Sequence, residues 1–110
     1  MNPQTLEAVS RLREAVVDRR RGTKGFRPGK KYGHRSTGSL VEVSPADMVL
    51  ACDAVPPPAE GEKASQVVLD LRMGSATHLE HREISGDQRE AYVLVEADDV
   101  HHLLDLIPKG

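Results

Sequence analysis

Apolar positions in this chain follow different periods in different stretches, and the changes of period set the expected elements. Leu6, Val9, Leu12, Val16 and Val17 recur three and four residues apart, the spacing that lines one face of an α-helix. Asn2 is a suitable N-cap and Pro3 suits the first helical position, so residues 1–20 are expected to form an N-terminal helix. Beyond Arg20 the period disappears. Gly22, Gly25, Pro28, Gly29, Gly33 and Gly38 punctuate a stretch with neither helical nor strand spacing, so residues 21–39 read as a Gly-rich arm.

The segment Leu40–Val43 (LVEV) is a short strand candidate. Ser44, Pro45 and Asp47 then supply an N-cap, a first-turn proline and a carboxylate at the third helical position. A helix to about Ala54 follows. Met48, Val49, Leu50, Ala51 and Cys52 make it apolar around most of its circumference, which implies burial. Pro56, Pro57 and Pro58 end it, and residues 56–65 read as a Pro-rich connector.

From Gln66 the period is two: Val67, Leu69, Leu71 and Met73 point one way and Asp70 and Arg72 the other, the signature of a half-buried strand. Gly74 and Ser75 offer a two-residue turn into residues 76–84, and Ser85–Gln88 a second turn into residues 89–97. Val100, Leu103, Leu104 and Ile107 then sit at i, i+3, i+4 and i+7, behind Asp98 or Asp99 as a cap, and Pro108 stops the pattern. The expected fold is α+β: a three-stranded antiparallel meander, with room for residues 40–43 as a fourth short strand, covered by helices. Residues 40–110 would form that small domain, within a single domain overall.

Length and composition narrow the function classes. A chain of 110 residues is enough for one core and too short for two ordinary domains. One cysteine, Cys52, cannot close an internal disulfide. No apolar run approaches the roughly 20 residues that cross a bilayer, and the N-terminus has no stretch of signal-peptide type. The expectation is a cytoplasmic protein, or one within a particle assembled there, with no membrane contact.

Charge changes the picture most. The formal net charge of −2 conceals a run from Arg19 to Arg35 that holds eight of the fifteen Lys and Arg residues and no Asp or Glu. Such a run suggests a polyanion or an acidic protein surface as partner. Arg19, Arg20, Arg21, Lys24, Arg27, Lys30, Lys31 and Arg35 are the phosphate-contact candidates, and Phe26 and Tyr32 the stacking candidates. Those two are among only three aromatic residues in the chain, the third being Tyr92. The favoured reading is a non-enzymatic nucleic-acid or polyanion binder. The alternative is an assembly subunit, forming a homo-oligomer or a virion-like complex, whose arm docks on the acidic body of a neighbour.

Other chemistries find weaker support. GFRPGKK has the wrong length for a phosphate-binding P-loop, lacks its Ser or Thr and follows a helix. His78 and His81, three apart in a strand, would point to opposite faces, and His101 and His102 diverge in a helix, so no metal and no cofactor is expected. Glu80, Glu83, Glu96, Asp98 and Asp99 fit a solvated sheet face and a helix start. A Cys–His nucleophile pair would need Cys52 exposed beside His78 or His101. The extracted order α, β, β, β, α resembles the double-stranded RNA-binding domain, but that family grips phosphate with a Lys-rich start to its last helix. Here those positions are Asp98, Asp99, Val100, His101 and His102, and the elements at 40–54 are extra, so no family is assigned.

Overall fold

In the computed structural model, which describes residues 1–17, 40–86 and 91–108, four helices pack with a two-stranded antiparallel sheet. The elements run α1 (Pro3–Val16), β1 (Leu40–Val43), α2 (Pro45–Asp53), α3 (Gln66–Ser85), β2 (Val93–Glu96) and α4 (Ala97–Leu106).

Two of the three helix starts read from capping residues, those at Asn2 and Ser44, are present as read. Asn2 Oδ1 accepts a hydrogen bond from the Thr5 N–H at 2.8 Å ahead of Pro3. Ser44 Oγ accepts one from the Asp47 N–H at 3.3 Å ahead of Pro45. Each cap satisfies a first-turn donor that has no partner within its own helix. On α1 the buried stripe is Thr5, Ala8, Val9, Leu12 and Val16, so Leu6 and Val17 lie off the core face and are exposed.

The expected meander is not formed. Residues 66–85 make one 20-residue helix, α3, in place of two strands and a Gly74–Ser75 turn. Its core face is Val67, Val68, Leu71 and Ser75, a helical spacing. The alternation that suggested a strand depended on Leu69 and Met73, which are 47% and 68% exposed. Two end signals fix the helix length: Ser65 Oγ accepts from the Val68 N–H at 3.4 Å, and Gly86 closes the far end in the left-handed conformation at φ 72°. The third expected strand shrinks to Val93–Glu96, and its partner is β1, with Leu40 opposite Glu96 and Val43 opposite Val93. With the β, β, β order gone, the likeness to the double-stranded RNA-binding domain has no structural counterpart.

One core joins these elements. Leu12 and Val16 from α1, Val41 and Val43 from β1, Met48 and Ala51 from α2, and Val100 and Leu103 from α4 meet in a single cluster, all buried. Truncating a fully buried Leu12, Met48 or Leu103 to Ala is expected to cost about 2–5 kcal/mol. The inward side of the sheet, Val41, Val43, Val93 and Val95, faces this core, while Leu40, Glu42 and Leu94 on the other side are exposed.

Candidate functional site

The ten residues expected to bind a polyanion, Arg19, Arg20, Arg21, Lys24, Phe26, Arg27, Lys30, Lys31, Tyr32 and Arg35, all lie outside the described residues. Against them stands a strongly acidic body. The described residues contain fourteen Asp and Glu but only five Lys and Arg. Among those cations, Arg11 pairs with Asp47, and Arg72 Nε with Asp53 Oδ1 at 2.7 Å.

A groove of about 600 Å³ opens between α3 and β2. Its helical wall is a single stripe, Val67, Asp70, Leu71, Gly74, Ser75 and His78, recurring three and four residues apart. Its other wall is β2 with the residue before it, Tyr92 to Val95, and Leu40 from β1. Glu96 and Asp99, at the junction of β2 and α4, complete the lining. Three carboxylates therefore surround the groove, and no Lys or Arg among the described residues lines it. Tyr92, Leu94 and Leu40 are 48%, 64% and 56% exposed, so an apolar rim adjoins the acidic lining. Sequence reasoning missed this site because it placed Val67–Met73 inside a sheet. The available signal was Gly74, a glycine in the middle of a 20-residue span bounded by the caps Ser65 and Gly86.

A second cavity of about 500 Å³ lies under the Pro56–Pro58 segment, where Cys52, Ser65, Val68, Arg72 and His102 contribute to its lining. Ser65 Oγ and His102 Nε2 are 3.2 Å apart. The histidine sharing a cavity with Cys52 is thus His102, neither of the two named from the sequence. Burial pushes the Cys52 thiol up to about 12, and the charge of Asp53 adds to the shift. A thiol so raised stays protonated at neutral pH, and the thiolate is the nucleophilic form. Ser65 is committed to capping α3.

The remaining sequence candidates move with the helix. His78 and His81 both lie on α3, where a three-residue separation brings them toward one face rather than opposite faces. Among the described residues, no three His, Cys, Asp or Glu side chains gather as a metal site. Neither Asp98 nor Asp99 is the N-cap of α4. Glu96 holds that position, without a side-chain capping bond, and both aspartates fall in the first turn. Asp98 is 4% exposed, and neither carboxylate oxygen has a hydrogen-bond partner among the described residues. No described helix is long and apolar enough to cross a membrane. Compared with protein-family models, curated proteins and solved structures, the chain matches none.

Proposed function

We propose that this chain is a non-enzymatic, cytoplasmic binding protein that grips nucleic acid through Arg19–Arg35. The observation that carries this reading is the segregation of charge. Eight cations and no acids occupy that one segment, while the described residues of the body hold fourteen acids and five cations. A phosphate backbone is repelled by such a body and attracted to such a segment. Phe26 and Tyr32, interleaved with the cations, supply flat surfaces on which bases stack without regard to sequence.

Fluorescence anisotropy with labelled RNA and DNA of mixed sequence, at rising salt, tests the reading. With about five of the eight cations on phosphates, log affinity for duplex DNA falls against log salt with a slope of roughly −4 to −5. Changing Arg19, Arg20 and Arg21 together to Glu abolishes binding at moderate salt. Absence of binding by the unaltered chain at low salt overturns the proposal.

A further inference from the structure

We infer that the groove between α3 and β2 is a docking site for the chain's own basic segment, Arg19–Arg35. Among the described residues β2 has one strand neighbour, β1, and the groove opens along its opposite side, toward α3. The outer edge of a strand directs alternate backbone N–H and C=O groups away from its partner, and an extended peptide can pair with them.

The helical wall is shaped for close approach. A Cβ built on Gly74 would meet no atom within 4 Å, so nothing packed against it among the described residues demands glycine there. Glycine is a poor helix former, and in regular structure it suits a place where another backbone comes near. Ser75 beside it is small and 2% exposed. The groove floor is therefore low where a peptide would cross it.

Charge selects the occupant. Among the described residues Asp70, Glu96 and Asp99 line the groove and no lysine or arginine does, which favours a cationic peptide and rejects an acidic one. Arg19–Arg35 is the cation-rich stretch of this chain, free of acids, and its Phe26 and Tyr32 match the exposed rim of Tyr92 and Leu94. Reach permits it. The described fold resumes at Leu40, which itself lines the groove. The four residues 36–39 can span up to about 13 Å, more than the roughly 10 Å between β1 and a strand on the far side of β2. This docking does not depend on nucleic-acid binding, although the two would compete for the same cations.

The test uses full-length chains. In one, residues 19–35 are replaced by Gly and Ser in equal number, and the probe is a fluorescein-labelled peptide of residues 19–35. The replaced chain should bind the peptide at least tenfold more tightly than the unaltered chain, whose groove is already filled. Adding Gly74→Leu to the replaced chain should weaken binding at least tenfold, although it alters no charge and its Cβ meets no described atom. Adding Asp70→Lys should do the same, and circular dichroism shows whether each variant keeps its helices. Three results overturn the proposal: no peptide binding by the replaced chain, equal binding by both chains, or binding indifferent to Gly74→Leu. A dimer of the unaltered chain in sedimentation, abolished by Gly74→Leu, overturns it too by assigning the groove to a neighbour's segment.

Discussion

Arg11 reaches from α1 to α2 and holds Asp47 through two nitrogens, Nε and Nη2, each 2.7 Å from a different carboxylate oxygen. The two partners are unequally placed. The Asp47 side chain is only 9% exposed, whereas that of Arg11 is 55% exposed. The Asp47 hydrogen bond and charge raise the Arg11 pKa further, so the guanidinium stays charged throughout. Removing Arg11 strands a buried carboxylate, whereas removing the carboxylate leaves a cation that water can solvate. Arg11→Ala should therefore lower Tm by several degrees, more than Asp47→Asn does. Thermal unfolding at pH 7 checks this, and equal losses would show that desolvation of Asp47 is not the governing effect.

Gly74 and Gly86 should respond to alanine with opposite signs. Gly74 lies inside α3 with no atom of the described residues where a Cβ would go, so in the chain whose residues 19–35 are replaced by Gly and Ser, Gly74→Ala should stabilise the fold by about 1 kcal/mol through helix propensity. Gly86 ends the same helix at φ 72°, and its N–H donates to the carbonyls of Arg82 and Glu83. An alanine there is forced into a left-handed conformation, and Gly86→Ala should destabilise by about 1 kcal/mol. Urea unfolding of the two variants decides the matter, and a loss at Gly74 would mean that its surroundings are not open.

These two glycines also explain which parts of the fold were legible in the sequence. Short-range chemistry with a single reading was recovered: Asn2 with Pro3, and Ser44 with Pro45 and Asp47, mark true helix starts. α3 was not recovered, because Val67, Leu69, Leu71 and Met73 alternate while only Val67 and Leu71 of the four are buried. Its weak amphipathicity left the decision to the caps at Ser65 and Gly86, and Gly74 looked like a turn when the neighbouring period was read as two. The pairing of β1 with β2 joins Leu40 to Glu96 across more than half the chain, and no local pattern encodes such a contact. The groove inherits that difficulty. Its two walls come from α3 and β2, so it exists only once both long-range placements are known.

Cys52 should make stability fall in alkali. Its thiol is raised from 9.0 to about 12, chiefly by burial, so between these values the unfolded chain has released a proton that the folded chain retains. Stability is then full below about pH 9 and is lost as pH rises toward 12, at about 1.4 kcal/mol per pH unit. Cys52→Ala has no thiol to titrate and escapes this loss. Urea unfolding at pH 7 and pH 10.5 should show the unaltered chain losing about 2 kcal/mol relative to Cys52→Ala. Parallel changes in the two proteins would mean that the thiol is not protected by the fold. At neutral pH the unaltered chain should react with thiol reagents only as fast as it unfolds.

Asp98 sets two electrostatic effects against each other. Its place in the first turn of α4 lets the helix dipole favour a negative charge, an effect of about 0.3–1 kcal/mol. Its burial, at 4% exposure with neither oxygen hydrogen-bonded among the described residues, opposes the charge by several kcal/mol after relaxation. Desolvation is the larger effect, so Asp98→Asn, which keeps the shape and removes the charge, should stabilise the fold by about 1–2 kcal/mol. Asp99, only partly buried on the same turn, offers the contrast: Asp99→Asn loses dipole stabilisation without relieving an equal burial and should destabilise the fold. Urea unfolding at pH 7 measures both. A loss of more than about 1 kcal/mol at Asp98 would mean that its carboxylate is held by a partner, because breaking a satisfied buried interaction costs at least that much.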